Sequence, residues 1–149
     1  MAKFLFKLQP VLNLKQQQEE NKKNELGKAV QMLEAQKQKL AELENSLAAA
    51  VKEFNEKTKK TTVHKLIEFN EYISLLNSKI KSQKENVNNA ALYVDKVREE
   101  LLTAVKERKI LEKLKEKNHD EYLLEQKKLE QKTNDEIVSY NHNESSSGD

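Results

Sequence analysis

Side chains that could carry out chemistry are scattered through this sequence rather than grouped. The three histidines, His64, His119 and His142, lie far apart, and none has a second histidine at the i+4 spacing of a helical metal site. There is no cysteine to act as a nucleophile or a thiolate ligand. Glycine-rich phosphate loops and serine nucleophile elbows are absent as well.

Carboxylates are abundant, but acid–base catalysis needs a water-excluding pocket that raises the pKa of one of them. Of the 149 residues, 36% are hydrophobic and 35% are charged, and the mean hydropathy is -0.91. A chain of this composition cannot fill a wide globular core, so its burial must be a narrow stripe. We therefore predict that the protein is not an enzyme and has no cofactor, metal or small-molecule substrate.

Residues 106–117 form a locally basic stretch in which acidic side chains are interleaved. Its basic members are Lys106, Arg108, Lys109, Lys113, Lys115 and Lys117, and its acidic members are Glu107, Glu112 and Glu116. Such a stretch is either a solvated helix face with Glu–Lys pairs or a docking surface for a protein. The interleaved acids, the lack of an aromatic residue and a net charge of +2 argue against nucleic acid as a partner.

Long helices must position these side chains. No proline occurs between Pro10 and Gly148, and Gly27 is the only glycine in that interval. No apolar run approaches the roughly 20 residues that cross a bilayer, and the apolar segment between Met1 and Leu14 is short, so we expect no signal peptide there. The sequence therefore predicts a cytoplasmic, helical protein.

Apolar residues recur at steps of seven in both halves of the chain, which is typical of coiled coils. The first seam contains Leu5, Leu12, Leu26, Leu33, Leu40, Leu47 and Phe54, interrupted by Glu19. Its companion positions hold Leu8, Ala29, Leu43 and Ala50, together with the polar residues Lys15, Lys22 and Gln36. The second seam contains Leu66, Ile73, Ile80, Val87, Val94 and Leu101, with Phe69, Leu76, Ala90, Val97, Ala104 and Leu111 beside it.

The phase of the heptads slips between the two halves, beside a run of lysine and threonine, so one uninterrupted helix cannot keep both seams on one face. We predict a helix over about 8–57, a turn at about 58–62 and a helix over about 63–137. The predicted fold is all-α, with two long helices forming an antiparallel coiled-coil hairpin with an overhanging C-terminal helix end. It makes a single domain over 1–140, followed by a disordered tail at 141–149.

Because the first arm is shorter, the overhang should begin near residue 115. Apolar residues continue there, and apolar side chains on an unpaired helix usually await another surface. They are Leu114, Tyr122, Leu123, Leu124 and Leu129.

Three blocks of sequence are distinctive beyond the heptads. They are the aromatic and leucine cluster from Phe4 to Lys15, the segment from Glu68 to Ile80, and the basic stretch 106–117 followed by Tyr122 and an acidic pair before Ile137. In content, order and spacing, these blocks resemble the FliJ family of flagellar export proteins.

The resemblance implies a stalk-like coiled coil that promotes assembly and activity of the flagellar export ATPase ring and couples it to a membrane export gate, with a role in escorting substrate chaperones. It implies peripheral association with the inner face of the cell membrane. By position, Tyr72 and Leu76 match the gate-docking surface, and Lys106, Arg108, Lys109, Leu114 and Tyr122 match the part presented to the ATPase. For Leu76, packing inside the hairpin is the competing interpretation.

Two other functions stay open at this point. The chain could be a structural coiled coil that forms homodimers, or the equivalent stalk subunit of a virulence type III secretion system. Sedimentation separates the first from an intramolecular hairpin, and gene neighbourhood separates the second from a flagellar protein.

Overall fold

The protein is built from two long helices. The computed structural model describes residues 3–57 and 59–147, and in them α1 spans Gln9–Lys57 and α2 spans Val63–Ser147. No strand occurs among the described residues. The predicted all-α class is confirmed.

A backbone hydrogen bond and a proline mark the start of α1. The Gln9 backbone N–H donates to the Phe6 carbonyl oxygen over 3.0 Å, which closes a turn directly before the helix. Pro10 lies in the first helical turn, where its missing N–H costs no hydrogen bond. Gly27 lies inside α1, and a Cβ added there would meet no atom within 4 Å apart from the adjacent backbone of its own helix.

Two hydrogen bonds accepted by Thr62 mark the start of α2. The Thr62 Oγ1 accepts a hydrogen bond from the Lys65 N–H at 3.4 Å, and the Thr62 carbonyl accepts one from the Leu66 N–H at 3.2 Å. A threonine in this position supplies an acceptor for an N–H that the helix cannot satisfy internally. Thr58, where the predicted turn begins, lies outside the described residues.

Contacts between residues divide the chain into two compact units, whereas the sequence predicts one domain over 1–140. The turn unit is Glu19–Thr103, and the terminal unit is Met1–Gln18 together with Ala104–Asp149. Each unit contains part of both helices. Because the heptads continue through both parts of each helix, the sequence pattern alone does not mark the division.

The two helices of the turn unit run antiparallel. Phe54, near the end of α1, packs edge to face on Phe69, near the start of α2, with ring centroids 6.0 Å apart. At the other end of this unit, Lys22 contacts Glu100. Since late residues of α1 lie beside early residues of α2 and the reverse, the predicted antiparallel pairing is confirmed.

The predicted seams form the core of the turn unit. Val97 is completely buried, and the other buried apolar side chains of this unit are Ala29, Ala50, Leu76, Ile80 and Val94. Two polar residues are buried among them, Glu19 and Gln83. Sequence analysis had not singled out Gln83, although it lies one heptad after Leu76.

In the terminal unit, Leu12 and Ala104 are buried as their heptad positions predict. The assignment of Leu5 to the seam is wrong, because its side chain is 84% exposed and the neighbouring Phe6 is buried instead. Heptad spacing places residues on one face only within a helix, and residue 5 precedes the start of α1.

The C-terminal end of α2 differs from the sequence-based expectation. The helix continues to Ser147, past the predicted end near 137 and through most of the tail that was expected to be disordered. No proline or glycine occurs between Gly27 and Gly148 to end it earlier. Hydroxyls also bond to carbonyls in the last turns, Ser145 Oγ to His142 O at 2.9 Å and Ser146 Oγ to Asn143 O at 3.0 Å. Residues 148–149 of the predicted tail lie outside the described residues.

A charged network joins the two helices of the turn unit. The Lys22 Nζ donates to Glu100 Oε2 at 2.5 Å and to Glu25 Oε2 at 2.9 Å, and the Tyr93 hydroxyl donates to Glu25 Oε1 at 2.9 Å. The hydrogen bonds to Glu100 and Glu25 raise the pKa of Lys22. The bonds from Lys22 and Tyr93 lower the pKa of the Glu25 carboxyl below 4.5, and the bond to Glu25 raises the pKa of Tyr93 above 10.0.

These shifts predict a pH dependence of stability. A carboxyl with a lowered pKa stabilises the fold above its ordinary value of 4.5 and loses that contribution as the pH falls through its folded pKa. A lysine with a raised pKa stabilises the fold below its ordinary value of 10.5 and loses that contribution only at higher pH. We expect Lys22→Met to lower the thermal midpoint between about pH 6 and 9, and the difference from the native chain to shrink below about pH 4.5.

The matched control is Lys37→Met, which removes an exposed pair with Glu34 at 3.7 Å on one helix. Exposed pairs of this kind contribute little. Thermal melts of the three proteins across this pH range give the comparison. A Lys22→Met difference of constant size from acid to neutral pH would contradict the role assigned to Glu25.

Candidate partner-binding surfaces

Tyr72 and Leu76, the two residues predicted to bind the gate, have different surroundings in the turn unit. The Tyr72 side chain is 48% exposed, whereas that of Leu76 is 4% exposed and belongs to the core. Leu76 therefore packs between the helices as its seam position predicts, and any contact with a partner at this level must be made by its neighbours.

Tyr72 borders a shallow hollow of about 260 Å³ that Lys65, Glu68 and Phe69 also line. The Phe69 ring is held edge-on against Phe54, which fixes one wall of the hollow. Leu75, also exposed, lies one helical turn beyond Tyr72. We call Phe69, Tyr72 and Leu75 the turn surface. It is an apolar surface with a charged rim, a combination that is common at sites of protein interaction.

Residues 106–117 include both paired side chains, as in a solvated helix face, and accessible side chains, as in a docking surface. Arg108 Nη1 donates to Glu112 Oε2 at 2.7 Å, four residues along the same helix, and its side chain is 21% exposed. Glu107 accepts a hydrogen bond from Lys15 Nζ at 2.9 Å, which joins α1 to α2 in the terminal unit. Lys106 and Lys109 are exposed. Arg108 thus belongs to a paired surface, while these two lysines are accessible to a partner.

An aromatic cluster places Tyr122 against the N-terminal segment. The Phe4 ring centroid is 5.0 Å from that of His119 and 5.6 Å from that of Tyr122. The predicted start of the overhang near residue 115 is therefore too early, because the segment before α1 continues along α2. Sequence reasoning missed this contact, although Phe4 stands in the opening aromatic cluster. Leu114, by contrast, is 36% exposed.

Beyond Tyr122, the side chains of α2 are largely uncovered by the described residues of the terminal unit. We call residues 123–146 the distal arm; all its side chains are exposed except that of Gln126, which is partly buried. Its large apolar side chains are Leu123, Leu124, Leu129, Ile137, Val138 and Tyr140. Of these, Leu123, Leu124 and Leu129 are the apolar residues that the sequence predicts for the overhang, whereas Val138 and Tyr140 lie beyond the predicted end of the helix near residue 137.

Within 3–57 and 59–147, no group of three or more histidine, aspartate or glutamate side chains is placed to hold a metal ion. In the same residues, neither helix has an apolar stretch long enough to cross a membrane.

Comparison with solved structures finds a similar fold. CT670 from Chlamydia trachomatis, a protein assigned as a homolog of YscO, is 24% identical, and the match covers 94% of this chain and 96% of that one with a TM-score of 0.76. No curated protein matches the sequence.

A family model agrees with the resemblance that the three sequence blocks indicate. The model described as flagellar FliJ protein matches residues 4–147, which include both helices, the turn surface and the distal arm. The chain therefore belongs to the FliJ family, whose members are structural components of the type III export apparatus.

Proposed function

We propose that this protein promotes assembly and activity of the flagellar export ATPase ring and couples the ring to the membrane export gate. The single observation that supports this proposal best is the distal arm. It is a long helical segment whose large apolar side chains are exposed among the described residues of its own unit.

The distal arm has the features of a helix that packs into a partner. Leu129, Ile137 and Tyr140 are separated by eight and three residues, so they lie on one side of α2. At about 1.5 Å per residue, the arm extends for about 35 Å, enough to lie along a groove between helices of another protein. We assign this surface to the ATPase ring, and we propose that no active site of the chain itself is involved.

The accessible part of the basic stretch supports a second contact with the ATPase. Lys106 and Lys109 are exposed on the terminal unit, and Leu114 is exposed on the same helix. In this proposal the lysines attract an acidic surface of the ATPase, while Arg108 and Tyr122 hold the local structure through Glu112 and Phe4. A contact between exposed charges weakens as salt increases.

The turn surface is the proposed contact with the export gate. Tyr72 supplies a large ring with a polar hydroxyl, a side chain that is enriched at interfaces. Leu76 lies under this surface and contributes by packing. Binding there would bring the protein to the inner face of the cell membrane as a peripheral component, from a cytoplasmic pool. Substrate chaperones are further proposed partners, on the basis of the family alone.

Truncation tests the distal arm. A chain that ends at Gln126 keeps Phe4, His119 and Tyr122 together but lacks most of the arm. We expect it to melt at nearly the temperature of the full chain, because no buried apolar residue is lost, while stimulation of the ATPase falls roughly ten-fold or more. Circular dichroism melts and steady-state ATP hydrolysis measure the two effects.

A full-length variant separates apolar contact from simple length. Leu129→Asp with Ile137→Asp disrupts the apolar side of the arm, and Gln131→Asp with Asn134→Asp adds the same two charges to exposed polar positions. Only the first pair should reduce stimulation. Full stimulation by the chain ending at Gln126 would reject the arm as the ATPase contact.

Tyr72→Ala tests the turn surface. Because the side chain is half exposed, we expect almost no change in thermal midpoint but a roughly ten-fold weaker affinity for the export-gate protein, measured by calorimetry or interferometry. Leu92→Ala, at another exposed leucine, is the matched control and should leave the affinity unchanged. Leu76→Ala should instead lower stability by about 2–5 kcal/mol, the usual cost of such a cavity. Unchanged gate affinity in Tyr72→Ala would remove this residue from the interface.

Charge reversal tests the basic stretch. Lys106→Glu with Lys109→Glu should weaken association with the ATPase, and the loss should be larger at low than at high salt because screening reduces the native attraction. Lys79→Glu with Lys81→Glu, at exposed positions of α2 in the turn unit, provides the same change in net charge elsewhere. Equal effects of the two pairs would show that net charge, rather than this stretch, controls association.

A further inference from the structure

The core of the turn unit contains a hydrogen-bonded pair of glutamines. Gln83 is 8% exposed, and its Nε2 donates to Gln36 Oε1 at 2.7 Å and to the Gln36 backbone oxygen at 2.9 Å. Asn86 Nδ2 in turn donates to Gln83 Oε1 at 3.2 Å. Both ends of the buried Gln83 amide are therefore satisfied, which is the condition for a polar group to be tolerated in a core.

Each glutamine interrupts a heptad series of its helix. In α1 the series runs Ala29, Gln36, Leu43, and in α2 it runs Leu76, Gln83, Ala90. The two interruptions lie opposite each other. Their match depends on the alignment of the helices along their axes, since a shift of either helix separates them.

The apolar contacts alone do not select this alignment. Because both seams repeat every seven residues, a shift by one heptad again places apolar residues opposite apolar residues. The ion pair of Lys22 with Glu100 does not select one alignment either, because another glutamate, Glu107, follows Glu100 by one heptad and lies opposite Lys22 when the helices shift in one direction.

The glutamines do discriminate between registers. A shift by one heptad places Gln36 opposite Leu76 or Ala90, according to its direction. The same two shifts place Gln83 opposite Ala29 and Leu43, respectively. The amide–amide hydrogen bond is then lost and a buried amide faces an apolar side chain, which is costly.

We propose that the Gln36–Gln83 pair sets the register of the hairpin, at the expense of some stability. This role is independent of the proposed function, because it concerns how the chain chooses one pairing among several with similar apolar burial. The register determines which side chains of α1 border each part of α2 in the turn unit. A single polar pair in a coiled-coil core is known to specify alignment in this way.

Distance measurement between two spin labels tests the proposal. The chain has no cysteine, so cysteines introduced at Asn24 and Lys81, both exposed and in the turn unit, can be labelled specifically. A shift by one heptad displaces the labels along the helix axes by about 10 Å. With native glutamines we expect one maximum in the distance distribution.

Gln36→Leu with Gln83→Leu should give at least one additional maximum, displaced by about 10 Å, with a thermal midpoint equal to or higher than that of the native chain. Gln83→Leu removes both hydrogen bonds to residue 36, whereas Gln36→Leu leaves the bond to the backbone oxygen. We therefore expect more of the additional population with Gln83→Leu than with Gln36→Leu.

The control is Gln38→Leu with Asn88→Leu, which adds the same apolar groups at exposed positions. It should retain the single maximum. One unchanged maximum in the doubly substituted core would overturn the proposal, as would an additional maximum of the same size in the control.

Discussion

The fold depends on the burial of one narrow apolar stripe on each helix against the other. With 36% hydrophobic and 35% charged residues, the chain has little else to bury. The most deeply buried of these apolar side chains include Val97, which is completely buried, and Leu76 and Val94, which are nearly so. Helices in proteins gain most of their stability from such packing, so a weaker stripe on one helix destabilises the other helix too.

The same constraint separates residues that maintain the fold from residues that can bind partners. Leu76 and Tyr72 are four residues apart on α2, yet one is 4% and the other 48% exposed. A two-helix core is only one layer of side chains thick, so most helical positions outside the seam face solvent. Binding surfaces in such a protein need no pocket, and the turn surface and the distal arm are both of this kind.

Much of the fold could be predicted from the sequence because one physical rule, the heptad, governs most of it. The rule correctly placed Ala50, Ile80 and Val94 in the core. It failed at Leu5, where the chain is not yet helical, and it does not indicate how a polar heptad position such as Gln83 will be satisfied. The helical end of α2 differs from the prediction because a small, polar composition is typical of disordered tails, whereas helix continues here in the absence of any proline or glycine before Gly148.

The binding surfaces were harder to predict than the core, for a physical reason. Periodicity reports which side of a helix is apolar, but it does not report whether another segment of the same chain covers that side. Tyr122 illustrates the difference, because Phe4, from a segment with no heptad of its own, packs against it. Leu129 and Ile137 have similar apolar character, yet both side chains are more than half exposed. Exposure of an apolar residue on α2 thus depends on which other segments pack against it, and the heptad pattern of α2 carries no information about that packing.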